Sequence, residues 1–549
     1  MPTKFIFVSG GVISGLGKGV TTASVALLLQ SRGYVVTLVK CENYLNLDSG
    51  LINPIEHGDP FLMDDGTESD MDLGTYEKFL GKNMYRHNFI TMGQIYKTVI
   101  DRERNFGYDG EDVEAIPHVT DEIILRIKEA GEKEKSDIVV VELGGTTGEY
   151  QNALFYEASR ILGIKKENTV VHVHVSYLPT PSHLGEPKTK PTQLSVRTLN
   201  SMGIQPQFIV ARATKPMDDR RRERFALFCN VDPDHVIDSV DLPSPYELPL
   251  SFAEQKFDEK LLTLLGLPFN TLNIEPWKVM VETIQRPKKK TVKIAIVGKY
   301  FATGNYQLRD SYAALLDSID HASWANGVAT DVDWVHASSL EEGNLKSLEG
   351  MDGIIVPIGW GNRGVEGKIK AIEYARTKKI PYLGLCYGMQ LSVVEYARDV
   401  VGLKGANTVE CDPKTPYPVI HMIEGQEEML KRRAYGGTMR LGRWECKVKA
   451  GSLADEIYTR YHGYDDEKNK IVGERHRHRY EFNDAYAKQL EDAGLIFSGR
   501  SVVENLAEII ELPKSVHPFF LGTQYHPEYR SRPLVPHPIF LEYLKACAA

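Results

Sequence analysis

Short β-branched runs alternate with longer amphipathic stretches along most of the chain, and that alternation leaves few folds open. Residues 5–9, 35–40, 137–143, 169–175 and 207–211 read as strands, and 22–31 and 119–134 read as helices between them. Near-continuous apolar runs suit strands covered on both faces, so a mostly parallel, doubly wound sheet is expected. Near Pro287 the texture changes. Arg286-Pro287-Lys288-Lys289-Lys290 is charged and breaks a helix, as an exposed connection would. A second series follows, with strands expected at 292–297, 353–357, 382–385 and 519–523. The expected organisation is one α/β domain over 1–267, a linker over 268–292 and a second α/β domain over 293–549. A length of 549 residues agrees, being more than one hydrophobic core usually serves.

The bulk composition excludes several classes. Hydrophobic residues at 42% and charged residues at 25% are the balance of a globular protein. A net charge of −9 speaks against a dedicated nucleic-acid binder, while leaving room for small polyanions at local positive sites. The basic run Arg220–Arg224 reads as a solvated helix face with one residue reaching a phosphate. Apolar runs fall short of the ~18–20 residues of a membrane span, and the N-terminus lacks a secretory core. Six cysteines without a CxxC pair suit a reducing cytoplasm, with no disulfide framework or zinc site.

The most informative segment is Pro381-Tyr-Leu-Gly384-Leu-Cys386-Tyr-Gly388-Met-Gln390. An apolar strand runs into Gly-x-Cys-x-Gly and then into a helical pattern at 389–398, the thiol form of a nucleophile elbow. The thiol then lies at a helix N-terminus, where the dipole favours thiolate. Gln524-Tyr525-His526-Pro527-Glu528 follows the strand at 519–523. Histidine can take a thiol proton, and a carboxylate two residues on can orient the imidazole.

The first strand ends in a glycine loop, Ser9-Gly10-Gly11-Val-Ile-Ser14-Gly15-Leu16-Gly17-Lys18-Gly19-Val-Thr21-Thr22. Its N–H groups can converge on phosphate oxygens, with the following helix adding its field and Lys18 a point charge. This makes the N-terminal domain P-loop-type, although Gly19 stands where Ser or Thr is usual. Phosphoryl transfer also needs carboxylates for a metal. Asp70, Asp72 and Glu142 are candidates, Glu142 the most telling because it ends an apolar strand.

The elbow with its His-x-Glu resembles the class I glutamine amidotransferases, which implies a triad of Cys386 as nucleophile, His526 as base and then acid, and Glu528 as orienter. The resemblance also places an oxyanion site on backbone amides at Gly359, in the loop Val356–Gly364, and at Tyr387, the residue after the cysteine. Further runs resemble the CTP synthase family: Lys40-x-x-x-Tyr44-x-Asn46-x-Asp48-x-Gly50, His57-Gly58, Asp64–Gly74, Ile116-Pro117-His118, Glu142–Thr146 and Lys188-Thr189-Lys190-Pro191-Thr192-Gln193. Gly364–Lys368, Gly436–Gly442 and Glu474–Tyr480 extend the likeness through the second half. It implies ATP on Ser14, Gly15, Leu16, Gly17, Lys18, Gly19, Lys40 and Asp72, and Mg2+ on Asp72 and Glu142. UTP, or CTP as feedback inhibitor, would lie on Ser14, Glu149, Tyr150, Gln151, Lys188, Lys190, Gln193 and Arg224. Glutamine would meet Gly359, Tyr387, Gln390, Glu410 and Arg479. It further implies phosphorylation of the uracil 4-oxygen, ammonia crossing an internal channel with His57 at its mouth, activation by GTP, a homotetramer with filaments left open, and a cytoplasmic enzyme without nucleic-acid or membrane partners.

The chain departs from the family pattern in places. Gly148-Glu149-Tyr150-Gln151 stands where Gly-Asp-Ile-Glu is frequent, Glu114 replaces glutamine and Leu194 replaces histidine; all three lie near the expected pyrimidine site. Arg224 replaces lysine, and Ile358 stands where the oxyanion loop usually has glycine. Two outcomes are open at these positions: altered CTP feedback, because Gln151 removes a charge, or drift compensated by neighbouring residues. Two other readings compete: an amidating ligase with another acceptor, disfavoured by Lys188–Gln193, and a non-catalytic nucleotide-binding homologue, disfavoured by Lys18, Cys386 and His526.

Overall fold

The computed structural model describes residues 3–549 apart from 54–57, 166, 182, 184, 300, 301, 304, 305, 308 and 360. His57 thus lies outside the described residues. The chain forms two compact units, Met1–Asp48 with Asp72–Val281, and Ser49–Met71 with Glu282–Ala549.

The first unit is built on a seven-stranded sheet in which every pairing is parallel. Its strands are β1 (Lys4–Gly11), β2 (Val36–Glu42), β3 (Phe89–Thr91), β4 (Ile138–Leu143), β5 (Thr169–Tyr177), β6 (Phe208–Ala213) and β7 (Val236–Val240), in spatial order β3-β2-β4-β1-β5-β6-β7. Phe5 and Phe7 of β1 and Val139 and Val141 of β4 pack in one buried cluster with Ile123 and Ile127 of the helix Thr120–Glu134. Each such side chain is worth roughly 1.5–3 kcal/mol of burial. The expected interior strands are present. The edge strands β3 and β7 escape a reading based on apolar runs, because β3 has 3 residues and β7 carries Asp238-Ser239. Helix α1 (Lys18–Ser31) follows β1 through the glycine loop.

The second unit has a nine-stranded sheet. In chain order its strands are β8 (Thr291–Gly298), β9 (Ala329–His336), β10 (Gly353–Val356), β11 (Tyr382–Leu385), β12 (Arg440–Val448), β13 (Ile471–His478), β14 (Ile496–Ser501), β15 (Ala507–Glu511) and β16 (Phe520–Thr523). The spatial order is β9-β8-β10-β11-β16-β15-β14-β12-β13, parallel up to β16 and antiparallel beyond it. The antiparallel strands are rich in charge, as in Arg443, Glu445 and Lys447 of β12, which hides them from an apolar-run reading.

Two placements differ from simple linear domains. The segment Ser49–Met71, with a short hairpin pairing Phe61–Leu62 to Glu68–Ser69, belongs to the second unit. Within the stretch expected as linker, Glu275–Gln285 is a helix whose Trp277 is buried and donates its indole N–H to the Tyr246 carbonyl (2.8 Å).

Arg32, at the end of α1, ties the first unit together. Its guanidinium donates to Asp258 (2.7 Å), to Glu259 (2.9 Å) and to the Asn270 carbonyl (2.6 Å), and Asp258 is 1% exposed. Removing one partner of a buried pair leaves a charge stranded. We predict that Arg32→Ala costs about 3–5 kcal/mol, seen as lost hydrogen-exchange protection in α1 and in the helix Phe257–Leu265. Arg32→Met combined with Asp258→Leu should recover most of that loss.

Candidate active sites

In the first unit the site grows from the C-terminal ends of β1, β2 and β4. Gly17 caps α1 in the left-handed region (φ 81°), and the loop before it turns the chain so that Lys18 opens the helix. The Lys18 ammonium donates to the Gly145 carbonyl. Burial lowers its pKa, helped by nearby Lys40 and opposed by Glu142. Lys40 and Glu142 face each other in the β2–β4 register. The Lys40 ammonium bridges Asp72 (2.5 Å) and Glu142 (2.7 Å) and lies 3.1 Å from Glu42. Burial opposes its charge, but these carboxylates outweigh it and hold the pKa well above the ordinary lysine value. Asp72 comes from α2 (Met71–Leu80), one turn before Tyr76, whose hydroxyl donates to Glu142. A Cβ on Gly19 would sit 2.3 Å from the Asp72 carboxylate, so a bare backbone is needed there.

The carboxylates of Asp72 and Glu142 already share a cation, and oxygen donors suit a hard ion such as Mg2+. Among the described residues no group of three His, Cys, Asp or Glu could hold a metal. The pair therefore fits an ion that takes its remaining oxygens from phosphates and water, as Mg2+ does.

A separate cavity of about 590 Å³ is lined by Lys188, Thr189, Lys190 and Gln193 at the start of α3 (Lys190–Ser201), and by Arg220, Arg221, Arg224 and Phe228 of α4 (Asp219–Cys229). Its acids are engaged: Glu186 pairs with Lys188, and Asp218 with Arg221. Four of the expected pyrimidine-nucleotide contacts thus line one basic hollow. Ser14, Glu149, Tyr150 and Gln151 do not line it. Glu149 instead accepts from the Thr146 backbone (2.8 Å) and hydroxyl (2.6 Å), and Tyr150 is fully exposed. Leu194 lies exposed on α3, and the Glu114 N–H donates to the His118 ring (3.0 Å).

In the second unit Cys386 joins β11 to α5 (Tyr387–Asp399) at φ 52°, ψ −100°. That sparsely populated conformation is the strained elbow expected of a nucleophile. Gly388 permits it: a Cβ there would meet the Val356 carbonyl oxygen at 1.9 Å. Cys386 and His526 are both buried, and the His526 imidazole Nδ1 lies 2.8 Å from Glu528. Burial favours the neutral imidazole, but the Glu528 carboxylate and the Cys386 sulfur outweigh it and raise its pKa to about 10. Nε2 has no hydrogen-bond partner among the described residues, which leaves it for a reacting group.

The expected glutamine contacts have these partners. Glu410 accepts from the Gly361 N–H (2.8 Å), and its second oxygen is buried without a hydrogen-bond partner among the described residues; burial raises its pKa. Arg479 donates to Gln426 (2.5 Å) and to the Tyr435 carbonyl (2.6 Å). Gln390 bridges the Tyr480 carbonyl (2.8 Å) and Gln524 (3.0 Å). Gly359 lies against Lys299 and Lys368, whose ammoniums stand 5.3 and 5.4 Å from the Tyr387 ring centre. Ile358 turns its side chain into the buried core that also contains Leu385 and Tyr525.

Sequence reasoning did not single out Tyr76, Gln524, Lys299 or Lys368. Tyr76 had a signal, its spacing of four from Asp72 on a helix; Gln524, which donates to the Cys386 sulfur (3.6 Å), had only its place beside the histidine motif.

Two family models match the chain: "CTP synthase N-terminus" over residues 4–267 and "Glutamine amidotransferase class-I" over residues 307–546. The chain is 45% identical to a CTP synthase of Caldanaerobacter subterraneus subsp. tengcongensis over 545 residues, 99% of this chain and 98% of that one. It is 46% identical to a CTP synthase of Pyrococcus abyssi over 546 residues, with the same coverage. A solved glutaminase domain of Trypanosoma brucei CTPS with bound acivicin is 36% identical, covering 47% of this chain and 94% of that chain, at a TM-score of 0.41.

The raised His526 pKa gives a signed prediction. A group raised in the folded state stabilises fully below its unfolded value, near 6.5 for histidine. That stabilisation fades as pH climbs through about 10. In Glu528→Gln the raising carboxylate is gone. Urea unfolding should therefore show the largest deficit of this variant below pH ~6.5, shrinking toward pH 10.

Proposed function

The chain belongs to the CTP synthase family, glutamine-dependent ligases that aminate UTP to CTP at the cost of ATP, and we propose that the residues assembled above carry out that reaction here. The observation that carries the assignment of residues is the pairing of two chemically complete sets. One is the glycine loop with Lys18, Lys40, Asp72 and Glu142; the other is Cys386 on its elbow with His526 and Glu528.

Lys18 and the N–H groups of Ser14–Gly19 would cradle the ATP phosphates. Asp72 and Glu142 would hold Mg2+, which when bound offsets the charge of the transferring phosphoryl group. Lys40 balances those carboxylates. Lys188, Lys190, Gln193 and Arg224 would hold the UTP phosphates in the basic hollow, with Ser14, Glu149, Tyr150 and Gln151 contributing once nucleotide is present. Phosphorylation makes the uracil 4-oxygen a leaving group; ammonia attacks carbon 4, and phosphate departs.

At the other site Cys386 adds to the glutamine amide while His526 holds the thiol proton at Nε2 and passes it to the departing ammonia. Glu528 keeps Nδ1 engaged, which fixes that division of labour. Gly359 and Tyr387 would supply the oxyanion N–H groups. The orphan oxygen of Glu410 suits the glutamine ammonium, and Arg479 its carboxylate. Mg2+ dependence, activation by GTP, feedback by CTP, tetramer assembly and a cytoplasmic setting extend this reading; the structure bears on location only in that, among the described residues, no helix is long and apolar enough to cross a membrane.

Two variants test the assignments. Cys386→Ser should lose CTP formation from glutamine by about 10³-fold or more while keeping that from ammonium salt. Lys18→Ala should lose CTP from both sources. A Cys386→Ser protein still active with glutamine would sink the reading of the elbow. Restoring the charge with Gln151→Glu should tighten CTP inhibition in the ammonium-dependent assay, and an unchanged inhibition curve would remove Gln151 from the regulatory account.

A further inference from the structure

Strand β13 passes behind the thiol–imidazole pair, and its two faces do different things. The Arg475 carbonyl accepts the backbone N–H of His526 (2.8 Å), and the Arg477 carbonyl lies 3.8 Å from the Cys386 sulfur. Side chains at 474 and 476 point to one face: Glu474 meets His537 (2.9 Å), and His476 meets Glu508 (2.6 Å). Alternation sends Arg475 and Arg477 to the other. There they enter the segment Ser49–Met71. Arg475 donates to Asp64 (2.5 Å) and to the Leu62 carbonyl (3.0 Å). Arg477 donates to Glu68 (2.6 Å) and to the Gly50 carbonyl (3.2 Å), and lies 3.5 Å from Asp59.

The same segment reaches His526 by a second path. The Tyr529 ring stacks on the imidazole (5.2 Å between centres, 27° between planes). Its hydroxyl has two acceptors within hydrogen-bond reach, the Pro60 carbonyl (3.1 Å) and Asp59 (3.3 Å), and Phe61 packs edge-on against the ring (5.4 Å). Arg475 also donates to the Tyr529 carbonyl (3.1 Å) and stands over Phe61. Arg475 and Arg477 are buried, and so are the Glu68 carboxylate and Phe61. Buried guanidinium–carboxylate pairs are directional and costly to break, so they set a strand's position where looser contacts would not.

We propose that Asp64 and Glu68 are positioning residues of the glutaminase reaction, although they lie outside the stretch that matches the amidotransferase model. They hold the guanidiniums of Arg475 and Arg477, and so fix the two backbone carbonyls that seat His526 and face the Cys386 sulfur. Neither carboxylate touches substrate; each acts through β13. The inference rests on Cys386 and His526 being the glutaminase pair. A displacement of about 1 Å in such a pair costs on the order of 10²-fold in rate.

The test uses the full-length protein with Asp64→Asn and Glu68→Gln, each measured for glutamine hydrolysis, glutamine-dependent CTP formation and ammonium-dependent CTP formation, alongside Cys386→Ser. The expected result is a glutaminase kcat lower by roughly 10- to 100-fold in both variants. The KM for glutamine in Asp64→Asn should stay within about twofold, ammonium-dependent CTP formation should be unchanged, and Glu68→Asp should recover part of the kcat. Equal loss from both nitrogen sources would show a general folding defect and overturn the proposal, as would an unchanged glutaminase kcat. Persistence of glutamine-dependent activity in Cys386→Ser would instead remove the premise.

Discussion

Parallel strands carry the constraint on which the structure depends. A parallel pair cannot be closed by a tight turn, so each strand must be followed by a crossover. All strand C-termini of such a sheet then gather on one edge, where their loops can be combined into a site. Both units use that edge. In the first, β1 delivers the glycine loop, β2 delivers Lys40 and β4 delivers Glu142. In the second, β11 delivers Cys386, and the chain leaving β16 delivers His526 and Glu528. Cys386 and Thr523 are even joined directly, by a backbone hydrogen bond of 2.7 Å. A ligase that must separate phosphoryl transfer from amide hydrolysis is thus made from one principle applied twice.

The two sites differ in how they handle buried charge. Around Lys40 the cation is surrounded by Asp72, Glu142 and Glu42, so a charge that burial alone would expel is kept. This leaves a compact acidic cluster beside Lys18, suited to phosphates and a hard cation. Around Cys386 the charge is movable. His526 is held near its protonated form by Glu528 and by the thiol sulfur. The elbow geometry of Cys386 and the bare Gly388 beneath it are the structural counterpart of that arrangement.

Legibility in the sequence followed locality. The elbow, the glycine loop and the interior strands could be read because each is set within about ten residues by glycine spacing and apolar runs. Edge strands and the charged antiparallel strands could not, since their burial comes from neighbours far along the chain. Arg475 and Arg477 show this best. In sequence they are part of a basic, histidine-rich run. Their carboxylate partners Asp64 and Glu68 lie 411 and 409 positions away. Those contacts place Ser49–Met71 with the second unit although its family match is to the first. Gathering of Lys188, Lys190, Gln193 and Arg224 around one hollow was legible only through family resemblance, because α3 and α4 are separated by the strand β6.

The most direct measurement follows the uracil oxygen. UTP labelled with 18O at the 4-position would be incubated with ATP, Mg2+ and glutamine, and the inorganic phosphate examined by mass spectrometry. If ATP phosphorylates that oxygen before ammonia displaces it, the label must appear in phosphate, one atom for each CTP formed. Label recovered in water, with unlabelled phosphate and CTP still produced, would contradict activation by phosphoryl transfer and with it the role assigned to the Lys18, Lys40, Asp72 and Glu142 cluster.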